Sequence, residues 1–138
     1  REEIATMLLR YPQVILWLAG HEHRHHVEWI GTADSQEGTD GFWLVQTASH
    51  IDWPQQSRAV EVVKDKKGDI YIGLTVIDHQ GARDYGRATT PLEIAGLSRT
   101  LSANVWQKRA ELGAKHAFDW AQGLPQAQNV VLRIQKGA

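Results

Sequence analysis

The stretch "QVILWLAG" (residues 13–20) is a nearly continuous apolar run with β-branched and aromatic members, closed by a glycine. Apolar residues before it, in residues 2–11, recur at i, i+3, i+4 and i+7, and Pro12 separates the two segments. A short, fully apolar run is typical of a strand that is covered on both faces. We therefore predict a helix over residues 2–11 and a central, buried strand over residues 13–20.

Four further strands are predicted downstream. "VEWI" (27–30) and "GFWLVQT" (41–47) are separated by a turn-rich segment, and we expect Trp29 and Trp43 to pack across these strands. "SRAVEVVKD" (57–65) and "DIYIGLTVID" (69–78) flank Lys66-Lys67-Gly68, which is a hairpin signal. Because no helical crossovers join these strands, they should be antiparallel.

The remainder of the chain has a helical character. Thr90, Pro91 and Glu93 have the spacing of a capping box with proline at the first helical position, and a helix is predicted from there to about residue 111. A second helical piece (114–123) and a last strand, "NVVLRI", follow. The expected class is α+β or α/β, with a β-rich part over residues 1–80 and a helical extension over residues 81–138, packed on the same domain.

Composition limits the function classes. The 138 residues carry a formal net charge of −1, which gives no electrostatic case for nucleic acid or an anionic membrane. Cysteine is absent, which excludes thiolate metal sites and cysteine nucleophiles, and no apolar run approaches the length of a membrane span. Because a helical pattern begins directly at a first residue that is Arg, we expect the chain to be a piece of a longer protein, and its compartment stays open.

Four histidines follow the first strand in "GHEHRHH" (20–26). In an extended segment, His21 and His23 would point to one side, with Glu22 turned away. Ligands gather beyond the carboxyl ends of strands in α/β sheets, and neutral imidazole is a common metal ligand. Gly20 would let the chain turn off the strand. Two histidines do not hold a metal alone, so a merely solvated polar loop is the alternative interpretation.

The apolar strand followed by Gly20-His21-Glu22-His23 resembles the GHxH motif of calcineurin-like, binuclear metallophosphoesterases. "FWLVQTASHIDWPQQSRAVEVV" is similar to the segment after GHxH in one bacterial subgroup, so the resemblance covers about residues 1–78. It implies the C-terminal half of a two-sheet sandwich and hydrolysis of a phosphate mono- or diester by two ions of Mn, Fe or Zn. By the same resemblance, His21 ligates one ion and His23 the other, while His25 and His26 match no ligand of the family.

The upstream DxH, GDxxD and GNH motifs of that family do not occur here. We expect this chain alone to be inactive and its apolar strand to be covered by the upstream half of the protein or by a homo-oligomer. Phosphate could also contact His50 and Arg58, since arginine binds phosphate in a bidentate manner. The other interpretation has Arg58 paired with a surface carboxylate and His50 capping a turn. A Ser49–His50–Asp52 triad is rejected because adjacent side chains diverge.

Two competing hypotheses remain. "HEHRHH" is one residue away from the HxHxDH motif of metallo-β-lactamase-fold hydrolases, with His25 at the position of the aspartate. A non-enzymatic, β-rich interaction or structural module, in which the histidines have no chemical role, is the other alternative.

Overall fold

A computed structural model describes residues 2–111 and 121–135 of the chain. It is a small α+β protein. Its helices and strands, in chain order, are α1 (Glu2–Leu8), β1 (Leu16–Ala19), β2 (His26–Gly31), β3 (Gly41–Gln46), β4 (Ser57–Lys64), β5 (Ile70–Ile77), α2 (Pro91–Glu111), a short 3₁₀ helix (Pro125–Ala127) and β6 (Val130–Ile134). The predicted first helix is confirmed, although its regular part ends at Leu8 and hydrogen-bonded turns continue to Tyr11.

The strands form two three-stranded sheets. The first sheet has the order β1-β3-β2, with β1 parallel and β2 antiparallel to β3. The second has the order β4-β5-β6 and is antiparallel throughout. The predicted antiparallel pairing is therefore confirmed for β2 with β3 and for β4 with β5. The hairpin between β4 and β5 turns at Gly68, whose φ of 96° favours glycine.

The prediction that the apolar stretch is a central, buried strand is wrong. Within the described residues β1 pairs only with β3 and lies at the edge of its sheet, and 54% of Leu18 is exposed. The buried central position belongs to β3, in which residues 42–46 are all buried. An apolar run indicates how much surface a strand should bury, but it does not indicate which strands lie beside it.

Both sheets contribute to one core. Trp43 and Val45 of β3 pack with Ile72 and Leu74 of β5 and with apolar residues of β6. Trp29 and Trp43 lie opposite each other, with ring centroids 5.2 Å apart in an edge-on arrangement, as predicted. The predicted last strand is confirmed: β6 completes the sheet that β4 and β5 begin.

The start of α2 has the predicted capping box. Glu93 N donates to Thr90 Oγ1 (3.3 Å), and Glu93 Oε2 accepts from Thr90 N (2.9 Å). These backbone hydrogen bonds hold the pKa of Glu93 below its usual range. About half of the Ile94 and Leu101 side chains is exposed, so the apolar face of α2 is largely uncovered within the described part of the chain. Most of the predicted second helical piece (114–123) lies outside the described residues.

No helix among the described residues combines the length and the apolar character that a membrane span needs.

The core makes a testable prediction on a single strand. Ile72 is fully buried and Ile77, on the same strand, is 51% exposed. We expect Ile72→Ala to lower the free energy of unfolding by about 2–5 kcal/mol, because the cavity adds to the lost burial. The matched control, Ile77→Ala, should cost about 0.5 kcal/mol or less. Urea unfolding midpoints measure both, and equal shifts would contradict this description of the core.

Candidate functional site

Two loops leave the same end of the first sheet, where β1 and β3 both finish. β1 and β3 are parallel, so the segment after Ala19 and the segment after Gln46 both start at the carboxyl ends of neighbouring strands. Thr47 N donates to Ala19 O over 3.0 Å, which holds the two loop starts together. The first loop carries the histidines and the second spans residues 47–56. The sequence predicts a ligand site at this end of the sheet.

The histidine loop is not extended. Residues 21–22 form a turn and His23 has a φ of 54°, so the expectation of an extended segment, on which His21 and His23 would point to one side, is wrong. Gly20 is not what makes the turn possible, since its φ is not positive and a Cβ there would meet no atom within 4 Å. His23 takes the left-handed conformation itself, at a cost of about 1–2 kcal/mol. Such conformations concentrate at functional sites.

A carboxylate from the second loop holds His23. Asp52 Oδ2 lies 2.5 Å from His23 Nδ1, and both side chains are partly buried. With the proton on Nδ1, the imidazole donates to Asp52 and leaves the lone pair of Nε2 free. Nε2 has no hydrogen bond within the described part of the chain. A carboxylate on the far nitrogen is the arrangement that orients a metal-binding histidine and raises its basicity.

The side chains near the ends of β1 and β3 do not provide enough further ligands for a complete metal site. His21 is exposed and has no hydrogen bond to another described residue. The Glu22 carboxylate is paired with Arg24 (2.7 Å), which makes it a poor ligand. Gln46, at the end of β3, is 95% buried, and its Oε1 has no partner among the described residues. Across residues 2–111 and 121–135, no three or more acidic or histidine side chains come close enough to hold a metal ion.

His25 has a different environment from His21 and His23. It is 1% exposed, its Nδ1 accepts from Arg58 Nη2 (2.7 Å), and its Nε2 donates to Gln56 Oε1 (3.1 Å). Burial and the neighbouring Arg58 charge lower the pKa of His25 from its usual value. It is therefore a neutral, structural histidine in the interior. His26 begins β2 and contacts Glu28 (3.2 Å).

The two residues predicted to contact phosphate are engaged within the chain. Arg58 donates to the carbonyls of Gln128 (2.9 Å) and Ala127 (2.6 Å) as well as to His25, so the surface carboxylate pair considered for it does not occur among the described residues. His50 is exposed and its Nε2 lies 2.6 Å from Ser57 Oγ. A phosphate contact by either residue stays a prediction.

Sequence reasoning considered Asp52 only for a triad and missed its contact with His23. One relation between the strands would have indicated this contact. If the strand that precedes Asp52 is parallel to the strand that precedes His23, their loops leave the same edge of the sheet. The sequence gives this relation only once the order of the strands is known, because β2 lies between them in the chain.

The buried His25 predicts a pH dependence of stability. Its folded pKa is lowered, so between that pKa and about 6.5 the unfolded chain binds a proton that the folded chain does not. Stability should therefore fall as pH decreases below about 6.5. His25→Gln keeps an acceptor for Arg58 and should reduce this acid-side loss, whereas His26→Gln should retain it. Urea midpoints between pH 5 and 8 test this, and an unchanged slope in His25→Gln would contradict the assignment.

Comparison with protein-family models, with curated proteins and with solved structures gave no match to this chain. The function must therefore be inferred from the residues of the two loops that follow β1 and β3 and from their geometry.

Proposed function

We propose that the chain is the C-terminal part of a metal-dependent phosphoesterase and that His21 and His23 are metal ligands in it. The observation that carries the proposal is the contact between His23 and Asp52, which fixes one imidazole nitrogen and leaves the other available. The place of this contact, beyond the carboxyl ends of two parallel strands, and the Gly20-His21-Glu22-His23 motif give it further support.

The donors fit ions such as Mn, Fe or Zn. Neutral imidazole suits these metals, and Asp52 favours the tautomer of His23 in which Nε2 carries the lone pair. When bound, a pair of such ions supplies activated water and neutralises charge on a phosphoryl group. The part of this chain is to hold His23 in one orientation and to present His21 at the exposed end of the same loop.

Two histidines are an incomplete ligand set, so the proposal requires ligands from outside the described residues. The exposed edge of β1 offers a place for the segment that supplies them. Among the described residues no strand pairs with this side of β1, and Leu18 of β1 is 54% exposed. The upstream half of the same protein is the occupant that we propose, with a second copy of the chain as the other arrangement.

The metallo-β-lactamase-like alternative has less support. It needs His26 as a further ligand beside His21 and His23, whereas His26 contacts Glu28 and no trio of ligands forms among the described residues. If the intact protein binds no metal through these histidines, the non-enzymatic module becomes the favoured interpretation.

The proposal predicts a graded loss of metal affinity in the intact protein. His21→Ala and His23→Ala each remove a ligand and should abolish manganese-dependent hydrolysis of an aryl phosphodiester. Asp52→Asn keeps the shape of the side chain but loses the carboxylate, and should weaken metal affinity about 10–100-fold. Because ligating imidazoles must be neutral, metal affinity should also fall on acidification.

The control variant is His26→Ala, which removes a histidine of the same segment that is not assigned as a ligand. Manganese affinity by calorimetry and phosphodiester turnover are the measurements. Equal affinity in the wild type and in the His21→Ala/His23→Ala double variant would show that these histidines bind no metal.

A further inference from the structure

A pocket lies beside the second loop, and neither His21 nor His23 is among its described lining residues. It is an open pocket of about 360 Å³, lined by the second loop, the end of β5 and the first turns of α2. Its polar lining includes His50, Ser57, Asp78, His79 and Ser98. The volume is in the range of pockets that hold small organic molecules.

Two of the lining residues are within hydrogen-bond distance of each other. His50 Nε2 lies 2.6 Å from Ser57 Oγ. With the proton of the neutral imidazole on Nδ1, Nε2 accepts the hydroxyl proton of Ser57, which is the contact that activates a serine. Ser57 is the first residue of β4, so a regular strand fixes its backbone, and its side chain lines the pocket.

A third lining residue offers an unused hydrogen-bond donor. His79 Nδ1 accepts from Gly81 N (2.8 Å), so the proton of its neutral ring is on Nε2. Desolvation and the nearby Arg99 lower the pKa of His79, which keeps the ring neutral. His79 Nε2 is buried and has no partner in the described part of the chain. A ligand oxygen that reached Nε2 would satisfy this buried donor.

The charge of the pocket selects the class of ligand. Asp78 is the carboxylate in the lining, and it pairs with Arg99 and accepts from Gln56 Nε2 (3.3 Å). No lysine or arginine side chain is among the described lining residues. Such a lining offers no cation to a phosphate or a carboxylate, and it favours an uncharged molecule with an acceptor oxygen.

We propose that this pocket hydrolyses small, uncharged carboxylic esters. Ser57 Oγ adds to the carbonyl carbon while its proton passes to His50 Nε2, and the carbonyl oxygen, now negative, accepts from His79 Nε2. The C–O bond to the alcohol then breaks, and the alcohol leaves with the proton from His50. Water, deprotonated by His50, attacks the acyl-serine, and the acid and free Ser57 are released.

The test uses the intact protein, with p-nitrophenyl acetate as the probe and a chelator present. The expected result is release of nitrophenol together with an acetyl adduct that peptide mapping places on Ser57. Ser57→Ala should lose both, and His50→Ala should lower the rate by about 10²–10⁴-fold, with partial rescue by added imidazole. The control Ser49→Ala removes a neighbouring hydroxyl that accepts from Ile51 N and should keep the wild-type rate.

Circular dichroism of each variant separates loss of fold from loss of chemistry. The proposal is overturned if the folded wild-type protein forms no adduct on Ser57, or if Ser57→Ala hydrolyses the ester at the wild-type rate. The chelator keeps the result independent of the metal site, because ester hydrolysis by Ser57 and His50 requires no metal ion.

Discussion

The partly buried guanidinium of Arg58 makes the polar contacts on which the arrangement of the two sheets depends. Arg58 lies on β4 of the second sheet and donates to His25, which directly precedes β2 of the first. Its other donors reach the carbonyls of Ala127 and Gln128, just before β6. Removing a charge from water is costly unless its donors are satisfied, so the hydrogen bonds of Nη1 and Nη2 favour keeping these acceptors in place, whereas the buried Nε has no partner among the described residues. One side chain thereby fixes three segments that are distant in sequence.

Gly123 tightens the same junction. Its φ is 72°, and a Cβ at this position would lie 2.1 Å from His25 O, so only glycine allows the C-terminal segment to approach so closely. His25 N in turn donates to Ala121 O (3.1 Å). The histidine that sequence analysis set aside is therefore a structural anchor, and the loop before it is held at both ends, at β1 and at His25. That constraint is consistent with the left-handed conformation of His23 inside the loop.

Local rules predicted the elements well, whereas properties that depend on the whole fold were outside their reach. The capping box at Thr90 and the Trp29–Trp43 pair depend on residues close in sequence or on simple strand pairing, and both occur as expected. The position of β1 at a sheet edge depends on which strands join it, which no local pattern encodes. The role of His25 was not predictable either, because its partner Arg58 is 33 residues away and packs there only after both sheets have formed.

The second loop connects the two proposed sites. Asp52 reaches His23, whereas Gln55 Nε2 donates to Ser98 (3.0 Å) beside the ester pocket. Gln56 contacts both His25 and Asp78, so the loop is tied to the anchor and to the pocket at once. The second loop thus contacts both proposed sites through different residues. His21 lies in the first loop and outside these contacts, whereas Ser57, at the start of β4, contacts His50 of the second loop, so the ester pocket depends on this loop more directly than His21 does.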